Sequence, residues 1–200
     1  MLQRPLLTIA ALLITSAVAC PAVARMDPAA FVNNLGNQLV VVVGNPSKEA
    51  RQAEFRRLFH KEFDVHRLGW FVLGRISRTM TPQQRQDFLA LFDAFVVATY
   101  SERLSDYVAG SGAPRVIGSR ADPDGVIVTS EFSGRSGEVR VEWRLRPHEH
   151  AYKITDIMID GVSMAADGRS ELEGVAERNG WQPEAILAVM RQETANALLR

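Results

Sequence analysis

The sequence predicts an α+β domain: an antiparallel meander of about four strands packed against a layer of N-terminal and C-terminal helices. Three observations carry that prediction. Apolar residues recur at helical spacing from Asp27 to Gly110, the period changes to two between Val116 and Asp160, and helical spacing returns from Ser170 to Leu198. The 200 residues suit a single domain, and 46% apolar with 23% charged residues is enough to bury a core.

Each helix has its own signal. Phe31, Leu35, Leu39 and Val42 mark the first, which Gly44, Asn45 and Pro46 break. Ser47 caps the second, whose stripe is Phe55, Leu58, Phe59 and Phe63, with Arg51, Glu54, Arg56, Arg57 and Lys61 mostly facing water. Asp64 opens a short third helix carrying Leu68, Phe71, Val72 and Ile76, interrupted by Gly69 and Gly74. At Thr81-Pro82-Gln83-Gln84 an N-cap, a proline at the first helical position and a glutamine at the third coincide. A helix of about 27 residues and about 40 Å starts there and forms the spine.

In the sheet, Val139, Val141, Trp143 and Leu145 alternate with Glu138, Arg140, Glu142 and Arg144, describing one buried and one wet face. Val126–Ser133 is a strand joined to it across Gly134–Gly137. Ala151–Asp160 follows a Pro147-His148-Glu149-His150 turn, and Val116 and Ile117 mark a shorter strand before them. Such short connections make the strands antiparallel, because parallel pairing needs a crossover. A capping box at Ser170-Glu171-Leu172-Glu173 predicts the next helix, ended by Asn179-Gly180. Pro183 opens the last, with Ile186, Leu187, Met190, Ala197 and Leu198 along one side.

Residues 1–24 read as a signal peptide: Arg4, an uncharged apolar stretch from Leu6 to Val18, and Ala22-Val23-Ala24 as an A-x-A cleavage site. About 13 apolar residues fall short of the roughly 20 that span a bilayer. Ala17-Val18-Ala19-Cys20 faintly resembles an acylation site, but Ala17 stands where a larger aliphatic residue is usual. Cleavage near Ala24 removes the only cysteine, so the domain over 25–200 is held by packing without a disulfide. Lysine plus arginine equals aspartate plus glutamate at 23 each, which argues against a nucleic-acid partner.

The chemical candidates are weak. Gly161-Val162-Ser163-Met164-Ala165 approaches a nucleophile elbow, but the second glycine is missing, and His60, His66, His148 and His150 all precede Ser163 where the hydrolase order needs a later histidine. Ser163 is read as a turn residue. His148 and His150 lack further converging ligands for a metal. Asp156 and Asp160 read as an acid–base pair or as strand-end residues, and Arg140, Arg144 and Arg146 among Glu138 and Glu142 as a solvated mixed-charge face. What remains is an excess of phenylalanine before the sheet, at 55, 59, 63, 71, 88, 92 and 95, which is core or the wall of a cavity.

The runs Phe63-Asp64-Val65, Val72-Leu73-Gly74-Arg75 and Thr81-Pro82-Gln83-Gln84-Arg85, then Phe88 and Tyr100, resemble the MlaC and toluene-tolerance family of periplasmic phospholipid-binding proteins. Tyr152 to Ile157, Ile159 to Met164, Arg169-Ser170 and Asn179-Gly180 extend the resemblance over about Asp27 to Met190. The chain departs from the family's pattern at Arg75-Ile76-Ser77-Arg78, where a large residue often follows the glycine, and at Ile159-Asp160.

The resemblance implies a periplasmic shuttle with no catalytic residue, metal or cofactor, carrying phospholipid between an outer-membrane lipoprotein complex and an inner-membrane ABC transporter, and so serving outer-membrane asymmetry. A hopanoid-associated sibling branch of the same fold is the alternative. From another class, the rivals are a small esterase or isomerase-like enzyme, or a pure adaptor. Together with the periodicities, the resemblance places Phe63, Leu68, Phe71, Val72, Phe88, Phe92 and Phe95 across a lipid cavity from Val128, Val141, Trp143, Leu145 and Ile157.

Overall fold

In the computed structural model, residues 25–108, 112–134 and 137–199 are described, except for the side chains of residues 102, 104–108 and 134. The signal peptide, the end of the long helix at Gly110 and the centre of the Gly134–Gly137 turn lie outside the described residues.

Asp27 caps α1 (Pro28–Val43): its carboxylate accepts from the Ala30 N–H at 2.9 Å, with proline in the first turn. Ser47 does the same for α2 (Lys48–Glu62) and Asp64 for α3 (Val65–Leu73). α3 runs through Gly69 without interruption. A Cβ there would sit 2.6 Å from Leu89 and 3.3 Å from Phe92, so this glycine is a close approach between helices and not a break. The chain turns at Gly74, whose φ of 53° ends α3 and starts a 3₁₀ segment (Gly74–Arg78) holding the buried Ile76.

The Thr81 box forms reciprocally: Thr81 N–H donates to Gln84 Oε1 at 2.7 Å and Gln84 N–H donates to Thr81 Oγ1 at 3.2 Å, opening α4 (Pro82–Val108). None of the described helices is long and apolar enough to cross a membrane.

The sheet is a meander in the order β1-β2-β3-β4-β5: Arg115–Asp122, Gly125–Gly134, Gly137–His148, Ala151–Ile159 and Val162–Ser163, each antiparallel to the next. Two hairpins are tighter than the sequence suggests. Pairing of β3 with β4 continues to His148 opposite Ala151, so the expected four-residue turn shrinks to Glu149-His150, with Glu149 at φ 49°. After β4, Asp160 and Gly161 take φ of 49° and 85° and return the chain as the two-residue β5, a strand too short to show a period.

A bulge at Thr155 resets β4. Arg144 faces Asp156 while Leu145 faces Ile154, so Ile154 and Ile157 both reach the buried side. Asp156, buried, then meets the start of α5 (Met164–Arg178): it accepts from Ser163 Oγ–H at 2.6 Å and from the Ala165 N–H at 3.2 Å, while Ser163 Oγ accepts from the Ala166 N–H. Here the structure corrects the expectation that this helix begins at Ser170. Ser163 is the N-cap, and Ser170 lies inside, donating to the Ala166 carbonyl at 3.0 Å. α5 ends at Asn179-Gly180, and α6 (Pro183–Leu198) follows.

Two apolar clusters fill the interior. One joins α1 and Leu58 to Val128, Phe132, Val141, Trp143, Leu145 and Ile154 of the sheet. The other joins Phe59 to α3, the 3₁₀ segment, α4, α5 and α6. The capping network predicts a measurable effect: Asp156→Ala strands the Ala165 N–H and should cost about 1–3 kcal/mol, or roughly 2–12 °C of Tm at about 2–4 °C per kcal/mol in a domain of this size. Thermal melts by circular dichroism check this, and an unchanged Tm contradicts the assigned role.

Candidate functional site

The twelve residues expected to line a cavity fall into two groups. Leu68, Val72, Phe88 and Phe92 are buried in the helix cluster, where the Phe88 and Phe92 rings stack at 6.3 Å and Phe95 packs half-buried against them. Val128, Val141, Trp143 and Leu145 are buried in the sheet cluster, with Ile157 half-buried beside them. Phe63 belongs to both. It closes α2, forms a parallel bridge to Ile154, and packs on Phe59 at 5.1 Å between ring centroids. Phe71 stands apart: it is 45% exposed, with the Arg169 guanidinium 5.6 Å from its ring.

One residue outside that set matters as much. Phe55 also packs against both clusters and stacks on Phe59 at 6.3 Å. Its place on the α2 stripe was visible in the sequence, but helical periodicity cannot tell which of two cores a side chain enters. α2 splits the interior because consecutive side chains diverge, with Leu58 in the sheet cluster and Phe59 in the helix cluster. A polar pair on the inner face of the sheet is satisfied: Trp143 Nε1–H donates to Ser130 Oγ at 2.9 Å.

The remaining candidates have structural partners. The Asp156 and Ser163 side chains are taken up in capping α5, and Asp160 accepts from the Arg140 N–H at 3.0 Å, holding its turn. On the outer face of the sheet, Arg120 grips Glu142 through two bonds of 2.9 and 3.1 Å. That contact holds the Glu142 carboxyl below the usual carboxylate range, aided by the more distant Arg140. Among the described residues no three His, Cys, Asp or Glu side chains are placed to hold a metal.

Where α2, α3 and the β3–β4 hairpin meet, a shallow open depression of about 290 Å³ is lined by His60, Phe63, Asp64, Val65, His66, Arg146, His148 and Lys153. Arg146 Nη2–H donates to Asp64 Oδ2 at 2.7 Å, and the Asp64 N–H donates to the Ile154 carbonyl, locking α3 to the sheet. Partial burial of Asp64 opposes its ionisation, but the Arg67 N–H and the Arg146 guanidinium outweigh that and hold the carboxyl below its ordinary value.

Six helices and a five-stranded antiparallel meander in one α+β domain are consistent with an MlaC-like fold. The family model described as MlaC protein matches residues 34–192, and the chain belongs to that family. No curated protein matches it. Among solved structures, it is similar to a phospholipid-binding protein from Ralstonia solanacearum, determined in complex with a phospholipid. That likeness has a TM-score of 0.72 at 19% identity and covers 86% of this chain and 99% of the other.

A folded value below the unfolded one means that the contribution of Asp64 is complete above the unfolded pKa, near 3.8, and is lost as pH falls through the lower folded value. Asp64→Asn should therefore be less stable than the parent at pH 7 by about 1 kcal/mol, with the gap closing in acid, as pH falls below the unfolded pKa near 3.8. Denaturant midpoints at neutral and acid pH test this, and a gap that persists in acid contradicts it.

Proposed function

We propose that this protein is a periplasmic lipid carrier that takes phospholipid between the two membranes, with the acyl tails sheltered between the helix cluster and the sheet cluster and no catalytic step. The observation that carries this reading is the likeness, over 86% of this chain and 99% of the other, to a protein solved with phospholipid bound, joined to membership of the MlaC family. The divided interior supports it. Phe55 and Phe63 pack against both clusters, and the seam they mark is where hydrocarbon would enter without breaking the ladders of the sheet.

The energetics explain why a carrier is needed. At about 0.8 kcal/mol per methylene, two tails of roughly 15 methylenes oppose entry into water by on the order of 24 kcal/mol. Offsetting this takes an apolar cavity near the upper end of the roughly 300 to 1,000 Å³ typical of ligand sites. The depression at the α2–α3 junction, open and about 290 Å³, is too small for both tails, and in this proposal they lie between the two clusters instead.

The leader over residues 1–24 belongs to the same proposal, delivering the chain to the periplasm, where an outer-membrane lipoprotein complex and an inner-membrane ABC transporter are the partners. Protein purified from the periplasm should release phospholipid into organic solvent at up to one molecule per chain, read by mass spectrometry. Phe92→Asp, which sets a charge in the helix cluster, should release at least tenfold less while retaining its helical circular dichroism, since an unpaired buried charge costs several kcal/mol. A folded parent that carries no lipid contradicts the carrier reading, and full lipid retention by Phe92→Asp takes that residue out of the site.

A further inference from the structure

We infer that the depression at the α2–α3 junction receives the phosphate of the carried lipid, which makes this a headgroup-reading site and not merely an exit for the tails. The inference rests on the lipid-binding reading and adds a recognition element to it.

Three features of the depression point the same way. The first is position: Phe63 forms part of its wall and also packs against both apolar clusters, so a lipid whose tails lie in the seam has its polar end within reach here. The second is charge. The lining holds two permanent cations, Arg146 and Lys153, against one carboxylate, Asp64, which Arg146 and the Arg67 N–H already occupy. The other carboxylates nearby are also committed: Asp93 to His60 and Arg56, and Glu62 to Lys61, while Glu149 lies 3.9 Å from His148.

The third feature is unused donor capacity. The Lys153 ammonium has three N–H groups, and two are spent on the His60 and Lys61 carbonyls, at 3.1 and 2.5 Å. His66 Nε2 accepts from Trp70 Nε1–H at 2.9 Å, which puts its own proton on Nδ1 as a donor. Among the described residues, the side chain of the half-exposed His148 has the long contact to Glu149 and no shorter polar one. A phosphate brings acceptors on every oxygen and a negative charge, which matches donors that outnumber their acceptors. At about 290 Å³ the depression holds a phosphate with room for a small headgroup substituent.

The test compares two ligands that differ only in the phosphate, dioctanoyl phosphatidic acid and dioctanoylglycerol, titrated into the full-length mature protein by native mass spectrometry, with inorganic phosphate as a third probe. The phosphatidic acid should bind at least about tenfold more tightly than the diacylglycerol. Lys153→Gln should erase most of that preference. His148→Glu, which places a carboxylate at an exposed rim position with no strong bond to lose, should do the same even if Lys153→Gln weakens the fold. Equal affinity for the two lipids, or a preference that both variants retain, overturns the headgroup site and leaves the carrier intact. Binding of inorganic phosphate with no preference between the lipids marks a free-phosphate site and also overturns it. Failure of both lipids to bind overturns the carrier reading, and this inference with it.

Discussion

The architecture turns on a single helix that faces two cores. α2 has little apolar surface, yet its buried side chains go to both sides, Leu58 toward the sheet and Phe59 toward the other helices. A hydrophobic stripe about 100° wide can serve two partners only if they meet along it, and Phe55 and Phe63 are the residues where they do. Each core is then small enough to need polar ties. Two such ties join them: Arg146 of β3 bonds Asp64 at the start of α3, and Asp156 of β4 caps the start of α5. Both ties therefore hold the sheet to the helix cluster at the starts of α3 and α5, while at Phe55 the two clusters meet through apolar contact.

Local chemistry explains what could be read in advance. The Thr81 box, the starts of α2 at Ser47 and α3 at Asp64, and the alternation through Trp143 depend on residues close together in the chain, and all form as their spacing predicts. The start of α5 is not legible in the sequence because its cap is non-local. Ser163 is held by Asp156 seven residues earlier, across a hairpin and only because of the Thr155 bulge, whereas the better-looking box at Ser170 competes with a helix already under way. The role of Gly69 is not legible for a related reason: its lack of a side chain serves Leu89 and Phe92, twenty residues on.

The site was legible in composition but not in arrangement. A surplus of phenylalanine ahead of the sheet is plain in the sequence, but its division between two clusters and the exposure of Phe71 come from how α2 and α3 sit on their neighbours. The depression was not legible at all. His60, Asp64, His148 and Lys153 come together because the β3–β4 hairpin extends to His148 and lays its end against the α2–α3 junction. The departures from the family pattern find a structural use: Arg75 lies 4.5 Å from the Trp181 ring and bridges toward Glu173 and Glu177, pinning the 3₁₀ segment to α5 and the turn after it.

The central claim, that hydrocarbon lies between the two clusters, is tested most directly by paramagnetic broadening from a phospholipid spin-labelled midway along one acyl chain. Nuclear magnetic resonance signals of Phe55, Leu58, Phe59 and Phe63 should vanish together, from both sides of α2, while those of Val41, exposed on α1, and of Leu198 near the C-terminus persist. Broadening confined to surface positions, with the α2 signals intact, would contradict the account.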